Sequence, residues 1–233
     1  MLIPSIDLMG GRIVQLVQGK KLELAFDDVE HWIERFRGYP LVQLVDLDAA
    51  LRQGDNRKLV EQISRRLPCQ VGGGIGSVER AREVLQSGAL RVIVGSALFR
   101  VKPSGDAGTS DLVDTDFAGE LSRTIGADRI VSGIDSRSGR IAIKGWTEQM
   151  QLSPQAAMIE LEPYCGGFLY THIDTEGTML GFPLEIAKGL RALTRRQLIV
   201  AGGIREMAEI DALSAINVDA VAGMAVYTGM LNA

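Results

Sequence analysis

The chain has 233 residues, of which 46% are hydrophobic, and a formal net charge of -4 at pH 7. This length suits one α/β barrel and leaves no room for a second domain, so a single domain over 1–233 is expected. The acidic balance, with a pI of about 5.3, argues against a nucleic-acid binder, whose footprint is basic. No run approaches the ~20 apolar residues of a membrane-spanning helix. The start, MLIPSIDLMGG, lacks the basic-then-apolar order of a secretion signal, so the cytoplasm is the expected location. Cys69 and Cys165 lie outside any CxxC and form no zinc-ligand spacing, so both are expected as reduced, buried thiols.

Along the chain, short apolar runs alternate with amphipathic stretches. The runs are 2–6, 41–45, 69–73, 91–95, 129–134, 167–173, 197–203 and 219–223. Continuous apolar runs ended by glycine suit parallel strands buried on both faces. Helical periodicity falls at 27–38 (Val29, Trp32, Ile33, Phe36), 56–67 (Leu59, Val60, Ile63, Leu67) and 77–87 (Val78, Ala81, Leu85). Further helices are expected at 115–125, 153–164, 183–194 and 205–215, with Pro154 and Pro183 in first turns. Eight strands alternating with helices predict a closed (βα)8 TIM barrel rather than an open doubly wound sheet. The helix after the eighth strand is expected to be very short. Residues 102–114 read as a surface loop.

The two halves repeat each other. IDLMGGR (6–12) echoes IDSRSGR (134–140), VGGGI (71–75) echoes VAGGI (200–204), and VIVGSALF (92–99) echoes AVAGMAVY (220–227). The three motifs share nearly one offset, which implies duplicated half-barrels of about 1–116 and 117–233. In each half a strand ends in a glycine pair before a helix, and the next strand ends in glycine again. Such loops expose backbone N–H groups to an anion at a helix N-terminus. Two phosphate grips are therefore expected: Gly73, Gly74, Gly95 and Ser96, and Gly202, Gly203, Gly223 and Met224. Together they imply one elongated bisphosphate ligand, although a glycine after a strand also serves tight turns. Asp7 and Asp135 end strands that face each other across the barrel, and two carboxylates there can divide acid and base roles.

Thr171, at the end of the sixth strand, is placed to orient Asp135 or bind substrate. Asp46 and Asp48 are expected at the mouth, and Asp174 and Glu176 extend from the sixth strand. Trp146, in the loop after the fifth strand, can stack on a base or pack on the rim. His31 reads as a surface residue, and His172 reads either way. No converging His or Cys ligands point to a metal, and no lysine ends a strand as a Schiff-base aldolase requires. No cofactor is expected.

At these residues the sequence resembles the phosphoribosylformimino-5-aminoimidazole carboxamide ribotide isomerases of histidine biosynthesis. The resemblance runs nearly end to end through residues 3–20, 44–56, 133–146 and 170–181 and through both glycine motifs. It implies an Amadori rearrangement of an aminoaldose to an aminoketose, with Asp7 as general base, Asp135 as general acid and Thr171 assisting. It implies neither metal nor redox cofactor. A small-molecule bisphosphate is the one partner expected, and the chain is expected to be a monomer. The chain departs from the family pattern at Gly76 (usually Arg), Glu176 (usually Asp) and Met224 (often Lys or Arg), and has GSA and AGG for GTA and SGG. Three rivals remain at this level. The cyclase subunit of imidazole glycerol phosphate synthase shares the duplicated barrel, but its first strand typically reads IPCLDV and is followed by lysine. A bifunctional isomerase also accepting phosphoribosyl anthranilate shares VDLDAA, with Lys144 here in place of its usual arginine. The third is a non-catalytic bisphosphate-binding barrel.

Overall fold

A computed structural model describes residues 1–100 and 112–231. In chain order, β1 (Leu2–Met9) runs into a hairpin, β2 (Arg12–Val17) and β3 (Lys21–Phe26), and then α1 (Val29–Phe36). β4 (Val42–Asp46) passes through α2 (Leu47–Leu51) to α3 (Arg57–Ser64). β5 (Cys69–Gly72), α4 (Val78–Gln86), β6 (Arg91–Val94) and α5 (Thr115–Ile125) follow. After β7 (Ile130–Gly133) comes a small antiparallel sheet, β8 (Ser136–Arg137), β9 (Arg140–Ile143) and β10 (Glu148–Gln149), and then α6 (Pro154–Leu161). β11 (Gly167–Thr171), α7 (Leu184–Arg191), β12 (Gln197–Ala201), α8 (Met207–Ser214), β13 (Asp219–Ala222) and the one-turn α9 (Met224–Tyr227) end the described chain.

Eight strands, β1, β4, β5, β6, β7, β11, β12 and β13, pair in parallel in that order. The ring closes where β13 pairs with β1, Ile3 opposite Val221. This is the expected (βα)8 barrel. Strand alternation sorts its side chains into two layers. Ile3, Leu41, Ile93, Val131, Leu169, Ile199, Ala201 and Val221 fill the interior. Ile6, Leu8, Val42 and Leu44 point outward into the larger core shared with the helices. There α1 presents Val29, Trp32, Ile33 and Phe36, the expected face. In α4 the third buried residue is Val84, while Leu85 is only partly buried: the helix turns its face by one position from the expected stripe. Pro183 precedes α7 as its N-cap rather than lying in its first turn.

Beneath the interior layer a polar network closes the other end of the barrel. Arg91 donates to Gln70 and Gln197, Gln197 donates to Asp219, and the N-terminal ammonium lies 3.0 Å from Asp219. Burying an arginine is tolerable only with such partners.

Cys69 and Cys165 are free, buried thiols. His31 is exposed, edge-on to Trp32. Of the loop expected at 102–114, residues 102–111 lie outside the described residues. Leu112 and Val113 are buried instead of on the surface, and Asp114 caps α5. Among the described residues no helix is long and apolar enough to cross a membrane.

Candidate active site

The C-terminal ends of the barrel strands open into one cavity of about 1010 Å³. All of the expected site residues line it: Asp7, Asp135, Thr171, Trp146, the two glycine sets, Ser96 and Met224. The glycine pairs serve the turn and the opening at once. Gly73 has φ +100 and Gly202 φ +114, a region that favours glycine. A Cβ at 73 would sit 2.1 Å from the Asp46 carbonyl oxygen, and one at 202 would sit 2.4 Å from that of His172. Each loop is thus pressed onto the end of the preceding strand, which turns its backbone toward the cavity. Ser96 Oγ accepts the Lys144 N–H at 2.8 Å, so its own hydroxyl proton remains for a ligand.

Asp7 points inward from β1 and accepts a hydrogen bond from Ser5 Oγ at 2.8 Å. Burial in the cup raises its pKa to about 6, opposed by that hydrogen bond. Burial also raises Asp135, opposed by hydrogen bonds from Trp146 and Thr171. The Trp146 indole donates to Asp135 Oδ2 at 2.8 Å. Lys144, Gly145 and Trp146 all have left-handed φ, which turns the indole inward, and its ring presses on Gly19 in the β2–β3 turn. Trp146 therefore spans the mouth from one half of the barrel to the other.

A third carboxyl shares the cup. Glu176 lines the cavity, and burial followed by repulsion from Asp7 and Asp135 pushes it up to about 8. Its placement depends on the hairpin: Gln18 N–H donates to the Glu176 carbonyl at 3.0 Å, and Gly177 packs on the Leu16 carbonyl. Near pH 7, Asp7 is ionised while Glu176 keeps its proton. A folded-state pKa above the unfolded one stabilises the fold below the unfolded value of 4.5, and that contribution is lost as pH rises through about 8. Glu176→Gln should thus raise Tm by several degrees at pH 9 and leave it nearly unchanged at pH 4, measured by thermal denaturation.

A profile described as "Histidine biosynthesis protein" matches residues 1–232. The chain is 32% identical over 238 residues to a Methanocaldococcus jannaschii protein, covering 99% of this chain and 95% of that one. It is 32% identical over 237 residues to a Thermus thermophilus protein, at 99% and 95% coverage. It is 35% identical over 243 residues to a Synechococcus protein, at 99% and 87%. Each of the three is named a 1-(5-phosphoribosyl)-5-((5-phosphoribosylamino)methylideneamino)imidazole-4-carboxamide isomerase. The chain belongs to the histidine biosynthesis protein family.

In this family member Asp46 and Asp48 do not line the cup, contrary to expectation. Asp46 is 1% exposed and accepts from Ala49 N–H, Asn56 N–H and Asn56 Nδ2. Asp48 accepts from Gly10 N–H and Asn56 Nδ2. Both brace the loops around the first glycine pair. Asp174 accepts the Ser138 N–H, and His172 bonds Thr175 through Nδ1, so this pair ties down the strand-six loop. Glu176, Ser5 and Gln15 are the site groups that motif reading did not assign. Gln15, on β2, is 4% exposed, and its Nε2 has no hydrogen-bond partner among the described residues. A Cβ at Gly223 would sit 2.2 Å from Gln15 Oε1, so this amide lies against the second glycine set. A buried donor left unpaired costs about 1–3 kcal/mol, which a ligand oxygen would offset.

Proposed function

We propose that the cup performs an Amadori rearrangement, opening a phosphoribosyl aminoaldose and converting it to the aminoketose. The chain is an isomerase of histidine biosynthesis, matched along its length by relatives of that name. The observation that carries the mechanism is the single cavity holding Asp7 and Asp135 together with both glycine sets. The relatives' name contains two phosphoribosyl groups, one for each grip, with Gln15 as a further donor in the second. Matching grips also support half-barrels of about 1–116 and 117–233.

Asp135 donates its proton to the ring oxygen as the C1′–O bond breaks, leaving a protonated imine. Asp7, ionised near neutral pH, removes the C2′ proton. The resulting enolamine takes back at C1′ the proton that Asp7 carries and gives its C2′ hydroxyl proton to the Asp135 carboxylate, which leaves the ketone at C2′ and restores both groups. Thr171 orients Asp135. Substrate that draws the Trp146 indole off Asp135 removes a donor to the carboxylate and strengthens its hold on a proton. The protonated Glu176 keeps a further proton inside the cup. All these groups come from one chain, so the proposal needs no second copy. It places the reaction in the cytoplasm, where free thiols such as Cys69 and Cys165 stay reduced.

The test is turnover of the formimino aminoaldose by purified protein, read by absorbance through a coupled glutaminase–cyclase. Wild type should turn over, and Asp7→Asn and Asp135→Asn should be slower by orders of magnitude. Wild-type rates in both variants would refute the mechanism. Gln15→Leu should raise KM roughly tenfold with kcat little changed, as expected for loss of one hydrogen bond to a charged group.

A further inference from the structure

Ser5 and Asp7 lie two residues apart on β1, so strand alternation puts both on the interior face, Ser5 one layer deeper. Ile3, below them, belongs to the packed interior layer. Ser5 is 5% exposed, lines the cup floor and donates to Asp7 Oδ1 at 2.8 Å. Its backbone is held from the opposite side, where Tyr227 Oη donates to the Ser5 carbonyl at 3.0 Å. Tyr227 is itself fixed in a ring cluster with Phe26, Trp32 and Phe36. The hydroxyl is therefore presented by a rigid strand, pinned from outside by α9, to one oxygen of the carboxylate.

We propose that Ser5 is the positioning residue for Asp7: its hydroxyl fixes the carboxylate's orientation and stabilises the ionised form that accepts the substrate proton. This rests on the reading of Asp7 as the base. The surroundings otherwise oppose ionisation. Glu176 reaches the cup from the loop after β11, Asp135 from the loop after β7, and Tyr227 packs from α9. Arg52, Asp114 and Lys144 also line the cavity, but Lys144 pairs with Glu148 and Asp114 with Arg100. Among the described residues the one group that lowers Asp7's proton affinity is Ser5. A hydrogen bond to a charged partner is the strong kind, and burial in the cup strengthens it further.

The experiment compares Ser5→Ala and Ser5→Thr with wild type in kcat and KM between about pH 5 and pH 9, beside ¹³C NMR titration of the Asp7 carboxyl. Ser5→Ala should move the acid limb of kcat/KM up by about one pH unit. The rate at pH 6 would then fall roughly fivefold, with recovery toward wild type at pH 9 and KM little changed. Ser5→Thr keeps the hydroxyl and should keep the wild-type profile. If Ser5→Ala does not fold, Ser5→Cys, a weaker donor of similar size, should shift the limb in the same direction. A uniform loss at every pH, or an unmoved limb with an unmoved NMR titration, overturns the proposal. An NMR titration that moves while the rate profile stays fixed instead overturns Asp7 as the base.

Discussion

Asp7→Asn should lower kcat by a factor of about 10²–10⁴ while leaving the fold intact, the range expected for loss of a positioned general base. Asparagine keeps the shape of the side chain and can still meet the Ser5 hydroxyl, so the loss reports on proton transfer and not on packing. Stability should not fall. A carboxylate raised to about 6 in the cup weakens the fold above that pH, because the charged form is disfavoured there relative to the unfolded chain. The neutral amide removes that penalty, so Asp7→Asn should melt at or above the wild-type temperature at pH 8. The wild-type pH profile follows the same signs. kcat/KM should rise as Asp7 loses its proton near pH 6 and should fall again once Asp135, the acid whose hold on its proton burial strengthens, is ionised. Steady-state rates and calorimetry on the one variant separate the two effects. A variant that is slow and also unstable would point to a structural role for the side chain.

Gly202→Val should be the most damaging single change in the second grip. The position has φ +114, and its new Cβ would meet the His172 carbonyl oxygen at 2.4 Å. The neighbour is backbone and cannot rotate away, so the loop must shift. The left-handed conformation alone costs a non-glycine residue about 1–2 kcal/mol, and the clash brings the total to about 3 kcal/mol or more. Turnover should be lost with it, because the same shift moves the N–H groups facing the ligand. Gly76→Ala is the matched control. A Cβ there meets nothing within 4 Å, so its stability should change by no more than about 0.5 kcal/mol. Chemical denaturation of the two variants, with KM where protein folds, checks both. Equal tolerance would mean the second glycine pair is dispensable.

The parts of the site that motifs revealed are those whose position depends on local chain geometry. Asp7, Asp135 and Thr171 stand at strand ends, and once eight strands close into a ring the strand ends must face a common space. The glycine pairs follow the same logic. What escaped depends on contacts between distant segments. Arg12–Val17 and Lys21–Phe26 alternate in the manner of strands around Gly19, yet nothing local says that this hairpin folds back over the barrel mouth. Its return brings Gln15 to Gly223 and holds the Glu176 loop in the cup. Asp46 misleads for the opposite reason. It ends a strand as Asp7 does, but Asn56 ten residues later offers both a backbone N–H and a side-chain amide. The carboxylate turns to those donors and away from the cavity. For Trp146 the loop position and a choice between stacking on a base and packing on the rim were legible, but the indole bond to Asp135 was not, because it requires three consecutive left-handed residues.

The unlike appendages on the two halves bear on how a ligand arrives. A vessel with true twofold symmetry would admit an asymmetric, two-ended molecule in either direction, and half of all encounters would present the wrong carbon to Asp7. Here one half bears the plain β2–β3 ribbon and the other bears β8–β10 with its indole. The entrance thus reads head from tail before any chemistry begins.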